Sequence, residues 1–215
     1  NQESIEALIA DTEGVELLSI ELCEDINWNA QWEADHACME LPLGVLITPH
    51  CAFGAGHHET TSMMIKALIA TKETGWFQQE RCVLDMGCGT AILAILAAKM
   101  KAAQVYGIDI DAIAAISAYD NARLNRVGTR IETYCGDASL LQRNTYDVFL
   151  ANINRNILLQ DIPTYAACIR KGGLLFVSGF YLEDMPMIVG MATSVGLNYV
   201  SHDTVDNWCC IKFSK

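Results

Sequence analysis

The chain has 215 residues, 52% of them hydrophobic, enough for one α/β domain plus a small extra module and too apolar for a disordered chain. Its 26 acidic residues against 14 lysines and arginines give a net charge of −12, a surface with no general attraction for nucleic acid; it favours a cationic partner such as a lysine-rich protein, though charge alone is better explained by simple solubility. The apolar run at 91–98 is far short of the ~20 residues of a membrane span, and the opening N-Q-E-S-I-E has neither a basic flank nor an apolar core, so no membrane segment and no signal peptide are expected.

In chain order, the pattern predicts a helix over 4–10 and a strand over 15–22, a fragment too small to fold alone. Residues 27–36 carry Trp28 and Trp32 one helical turn apart, which reads as a short linker helix docked by its indole face. A glycine loop at 53–57 leads into a helix over 59–71. Strands and helices then alternate: strand 82–85, helix 90–100, strand 104–108, helix 111–125, strand 131–135 and strand 147–151. A helical stretch follows that is expected to break or restart at Pro163, then strand 174–178 and helix 183–195. Two alternating runs at 198–202 and 208–213 flank Asp206-Asn207, and so short a connection makes their pairing antiparallel.

Nine cysteines suggest disulfides, but the number is odd and no C-x-x-C occurs. Cys82, Cys88, Cys135 and Cys168 fall in or beside apolar runs, and the adjacent Cys209 and Cys210 cannot both face one metal from a regular strand. Reduced cysteines used as small core residues fit best, which implies the cytoplasm.

The segment from Arg81 to Asp111 concentrates the chemistry. An apolar strand ends in Asp85-Met-Gly87-Cys-Gly89, an alanine-rich helix follows, and a second strand ends in Asp109. The dinucleotide fingerprint G-x-G-x-x-G would place its third glycine at Ile92. Here an acid two residues before the first glycine gives D-x-G-x-G instead, the opening of S-adenosylmethionine (SAM) methyltransferases. Gly87 and Gly89 let the turn take positive φ and approach a ligand with bare backbone. The helix beginning near Thr90 points free N–H groups into the same crevice. Asp109 stands where a carboxylate can accept hydrogen bonds from ribose hydroxyls.

Two further constellations bear on function. His57-His58-Glu59 looks like the start of a zinc motif, but H-E-x-x-H requires histidine where Ser62 stands, so no catalytic metal is expected. Read whole, Phe53-Gly-Ala-Gly-His-His-Glu-Thr-Thr61 is a pliable loop before the first sheet strand that can fold over the crevice, with Thr60 or Thr61 capping the next helix. Asn152 lies just past the carboxyl end of a central strand, where open α/β sheets bind ligands. Its amide can accept a hydrogen bond from an amine and aim the lone pair, but it cannot act as a base. Asparagine here could also merely cap the following helix. The Asn-Pro-Pro-aromatic motif of many DNA and glutamine methyltransferases is absent.

On A-F-G-A-G-H-H-E-T-T (52–61), V-L-D-M-G-C-G-T-A-I-L-A-I (83–95), G-I-D-I-D (107–111), A-N-I (151–153) and the Trp28/Trp32 linker, the chain resembles the PrmA-type ribosomal protein methyltransferases from about Asn27 to its end. Ala55 and Ala91 stand where that family usually has threonine and glycine. The resemblance implies a seven-stranded Rossmann-like α/β sheet, mostly parallel, with an antiparallel C-terminal hairpin. It divides the chain into a partial N-terminal substrate-recognition module (1–26), a linker helix and connection (27–50) and a methyltransferase domain (51–215). It also implies SAM as cofactor, held by Thr61, Gly87, Gly89, Asp109 and Asn152, with Asn152 at the methyl group. The implied activity is N-methylation of lysine ε-amino groups, and of an α-amino group, on large-subunit ribosomal protein eleven, without direct nucleic-acid binding. A methyltransferase of a small-molecule amine and a SAM-binding module without activity are the alternatives.

Overall fold

The structure is a computed structural model that describes residues 39–48, 58–78, 81–141, 143 and 145–215. The expected helix over 4–10, strand over 15–22, Trp28/Trp32 linker and glycine loop at 53–57 lie outside these residues. β1 (Met39–Leu41) and β2 (Val45–Ile47) form a small antiparallel hairpin apart from the main sheet. After it come α1 (Glu59–Glu73), β3 (Cys82–Met86), α2 (Ile92–Lys99), β4 (Gln104–Asp109), α3 (Ala112–Leu124), β5 (Ile131–Cys135) and β6 (Tyr146–Asn152). The chain closes with α4 (Arg155–Cys168), β7 (Ile169–Tyr181), α5 (Met185–Ser194), β8 (Asn198–Val205) and β9 (Trp208–Ser214).

The strands from β3 onward make one seven-stranded sheet in the order β5-β4-β3-β6-β7-β9-β8. β3 pairs in parallel with β4 on one side and β6 on the other, so the winding direction reverses between β3 and β6. That reversal opens a crevice at the carboxyl ends of both strands, the ligand position of open α/β sheets. β9 runs antiparallel between β7 and β8, as the short connection requires. Asp206 and Asn207 take positive φ, the conformation of a two-residue hairpin turn whose twist suits the strands.

Alternating side chains send Val83, Val105, Val148 and Phe176 to a core under α1, α2 and α3. Leu84, Ile108, Phe149 and Leu175 go to a second core under α4 and α5. Each fully buried large side chain contributes about 1.5–3 kcal/mol. Cys209 and Cys210, neighbours on β9, enter opposite cores, which explains how adjacent cysteines can both be buried. Cys135 is exposed instead, because β5 is an edge strand. Val45 and Ile47 of the hairpin are also buried, in the first core.

One expectation fails at Pro163, which neither breaks nor restarts the helix: α4 runs through it. Proline removes one backbone donor there, but Leu158, Ile162, Tyr165 and Ala166 are buried beneath, and their packing holds the turn in place. β7 is also longer than its apolar run, because β6 and β9 extend its pairing on both sides.

Candidate functional site

At the end of β3, Gly87 and Gly89 have φ of +68° and +52°, and a Cβ on Gly87 would strike Ile153 Cγ2. A side chain at Gly87 would have to push the Ile153 side chain aside and hold a positive φ, which glycine does without strain. The N–H groups of Gly87 and Cys88 donate to the Ile108 carbonyl of β4, at 2.8 and 3.1 Å. The Gly89 N–H donates to Asp109 Oδ2 at 2.8 Å, and the Asp111 N–H to Asp109 Oδ1 at 3.0 Å. Asp109 therefore joins the glycine turn to the start of α3 while remaining on the cavity wall.

Asp85 has another task. It is 1% exposed, and its Oδ2 accepts the N–H of Ala94 in the first turn of α2 at 3.0 Å. The residue before that helix, Ala91, offers no side-chain cap, so the strand below supplies the acceptor. Burial pushes the Asp85 carboxyl well above its ordinary range; the Ala94 bond lowers it and the nearby Asp109 charge raises it further. α2 begins at Ile92 rather than near Thr90 because Ala91 is left-handed, with φ of +62°. An L-residue there carries strain of about 1–2 kcal/mol that glycine would not.

Asn152 ends β6, paired with Ser178 of β7. Its Nδ2 donates to Thr61 Oγ1 at 3.2 Å, while its Oδ1 is buried with no hydrogen-bond partner among the described residues. Thr61 is 1% exposed in the first turn of α1 and lies behind Asn152 rather than on the cavity wall. It therefore holds the amide so that the carbonyl oxygen is left for something else. Neither Thr60 nor Thr61 caps α1; His58 does, its Nδ1 accepting the Thr60 N–H at 3.3 Å. The His58 ring also meets Trp208 edge-on, and Trp208 lies over Tyr181. Among the described residues no group of three or more His, Cys, Asp or Glu is placed to hold a metal.

These elements surround a cavity of about 750 Å³ at the switch point between β3 and β6. The structure brings Gly87, Gly89, Asp109 and Asn152 together on its wall. Sequence reasoning missed three more carboxylates there: Asp111, Asp137 and Asp161. Asp137 had a readable signal, since it follows β5 as Asp109 ends β4; its hydrogen bond from Ser139 holds its carboxyl below the usual range. Asp161 had none, because only the packing of α4 carries it to the crevice. Among the described residues, four aspartates and no lysine, arginine or histidine line the cavity, with Ile110 and Ile153 as apolar surface. Such a wall repels the pyrophosphate of a dinucleotide and attracts a cation.

Comparison with known proteins agrees with this geometry. The ribosomal protein L11 methyltransferase (PrmA) family matches residues 19–215. The chain belongs to that family. A ribosomal protein L11 methyltransferase of Phocaeicola vulgatus is 43% identical over 214 residues, 91% of this chain and 74% of the relative. One from Bacteroides fragilis is 42% identical, over 88% of this chain and 72% of its own length. The crystal structure of a ribosomal protein L11 methylase from Lactobacillus delbrueckii subsp. bulgaricus superposes with a TM-score of 0.68 at 26% identity, covering 76% of this chain and 81% of that one. As a PrmA-family member the chain is a methyltransferase, and its mostly parallel seven-stranded sheet with an antiparallel C-terminal hairpin is the expected fold.

Proposed function

We propose that this protein is a SAM-dependent N-methyltransferase acting on lysine ε-amino groups, and on an α-amino group, of ribosomal protein L11. The observation that carries this reading is Asn152 Oδ1, without a partner among the described residues, at the edge of a cavity walled by aspartates. A buried acceptor without a donor is unfavourable by about 1–3 kcal/mol, and an amine N–H satisfies it. The cavity also fits the cofactor's charge, since SAM, with a sulfonium, an ammonium and one carboxylate, is a net cation without phosphate. When bound, SAM supplies a methyl group already activated for displacement by its positive sulfur.

In this reading the chain's own residues bind and align. Gly87 and Gly89 bring bare backbone to the cofactor, Asp109 accepts its ribose hydroxyls, and Ile110 and Ile153 give apolar contact. Asn152 Oδ1 accepts one amine N–H and turns the nitrogen lone pair toward the methyl carbon, while Thr61 fixes the amide's rotation. An amide takes up no proton, so the amine reacts in its neutral form and releases its proton to solvent. Proximity and alignment supply most of the rate.

The relatives' names support L11 as the acceptor, and the net charge of −12 suits a basic protein. We assign residues 1–26 to part of a substrate-recognition module, 27–50 to the linker and 51–215 to the methyltransferase domain. No direct nucleic-acid contact is part of this reading. The thiols of Cys88, Cys168, Cys209 and Cys210 are free, which fits a reducing cytoplasm. No helix among the described residues is long and apolar enough to cross a membrane.

The test is mass spectrometry of ribosomal proteins incubated with this chain and methyl-labelled SAM. Label on lysines or the N-terminus of L11 is expected. Label confined to a small-molecule amine, or SAM binding without turnover on any acceptor, would replace this reading with one of its rivals.

A further inference from the structure

Asparagine is a poor residue for the middle of a helix, because its side chain competes for backbone hydrogen bonds. α3 nevertheless carries Asn121 and buries it to 1% exposure, with Asn125 at its C-cap, 7% exposed. The two amides face the open edge of β2, the edge that β1 does not pair. Leu46 N–H donates to Asn125 Oδ1 at 2.8 Å, and Asn125 Nδ2 donates back to the Leu46 carbonyl. Thr48 N–H donates to Asn121 Oδ1 at 2.9 Å, and Asn121 Nδ2 donates back to the Thr48 carbonyl at 3.1 Å. Four helical residues rise about 6 Å and two strand residues about 6.7 Å, so the pair of amides matches the strand's repeat and stands in for a neighbouring strand.

The two asparagines differ in what else they reach: Asn121 Nδ2 lies 3.4 Å from Ser117 Oγ within α3. Asn121 Nδ2 also lies 3.3 Å from the carbonyl of Thr90, the last residue of the glycine turn before Ala91. Asn125 makes no such contact; its remaining bond goes to the Asn121 carbonyl. The turn is therefore held from two directions, by Asp109 on Gly89 at the cavity and by Asn121 on Thr90 at the back. Ala91, held left-handed directly after Thr90, gives the turn strain for such a tether to resist.

We propose that Asn121 is a positioning residue of the cofactor site, holding the glycine turn through the Thr90 carbonyl and joining it to β2, whereas Asn125 serves β2 alone. This rests on the SAM-binding reading given above. Asn121 is not itself on the cavity wall and acts through the backbone that it holds.

The comparison of Asn121→Ala with Asn125→Ala in the full chain tests this. Each loses a reciprocal pair of bonds to β2, so both should lower the unfolding midpoint. Only Asn121→Ala should weaken SAM binding, by about tenfold, the scale of one lost hydrogen bond in a preorganised site, while Asn125→Ala stays within about twofold. Hydrogen exchange in the absence of SAM should show faster exchange at residues 87–92 in Asn121→Ala alone. Should Asn121→Ala not fold, Asn121→Ser takes its place, with a hydroxyl too short to span both Thr48 and Thr90. Equal SAM affinities and equal exchange in the two variants would overturn the proposal. A wild-type chain that binds no SAM would overturn the functional reading instead, and the exchange comparison would still decide the role of Asn121.

Discussion

Replacing Asp109 with alanine isolates the cofactor contribution of the site. The carboxylate accepts two backbone N–H groups, from Gly89 at 2.8 Å and Asp111 at 3.0 Å, and it also lies on the cavity wall. Hydrogen bonds to a charged acceptor contribute about 1.5–3 kcal/mol. At about 1.4 kcal/mol per factor of ten, losing the ribose contacts should raise the Kd for SAM by roughly 10- to 150-fold. Loss of the Gly89 bond frees the glycine turn and moves the effect toward the upper end. Asp109→Asn keeps a neutral carbonyl acceptor and should fall between. Both backbone bonds to the carboxylate are lost as well, so the unfolding midpoint should also fall, and affinity is compared at a temperature where both forms are folded. Isothermal calorimetry on folded protein reads the difference directly, with NADH as a control that should bind neither form detectably. Unchanged SAM affinity in a folded Asp109→Ala variant would refute the assignment.

Other expectations follow from the same contacts. Ala91→Val should destabilise the chain by about 2–4 kcal/mol in urea unfolding, because a β-branched residue is forced into the left-handed region at a site with no exposed surface; a loss below 0.5 kcal/mol would argue that the turn relaxes. The folded state holds the Asp85 carboxyl well above its ordinary value of 3.8, so between 3.8 and the raised value it binds more protons than the unfolded chain, and stability falls as pH rises through that window. Asp85→Asn should flatten this part of the Tm–pH profile, and an unchanged slope would exclude Asp85 as its source. The wild-type rate should climb with pH toward the pKa of the acceptor amine, and a separate limb belonging to a carboxylate or imidazole base would contradict a site that only aligns.

The strand–turn–helix unit was legible in sequence because its constraints are local: apolar runs, two glycines and two acids at fixed spacing. Gly87, Gly89 and Asp109 fall on the cavity wall for that reason, and Asn152 does because it ends a central strand beside the switch point. Thr61 was carried over by family likeness as a cofactor contact, and its place behind Asn152 depends on how α1 packs, which no spacing reveals. Local signals misled where tertiary contacts override them. Pro163 looked like a break, but the buried face of α4 carries the helix through it. Thr60 or Thr61 looked like the cap of α1, and His58 caps it instead. The paired amides of Asn121 and Asn125 were invisible as a unit, because their partners are the backbone of a hairpin more than 70 residues earlier.

The central claim is that an asparagine aligns an amine for methyl transfer, and Asn152→Ala tests it most directly. Methyl transfer from labelled SAM to L11 should fall by roughly 10²-fold or more, the usual consequence of misaligned reactants. SAM binding should survive in large part, since Asp109 and the glycine turn remain, and the fold should stay intact. Near-full activity in this variant would mean that Asn152 only ends a strand, and the mechanism proposed here would be wrong.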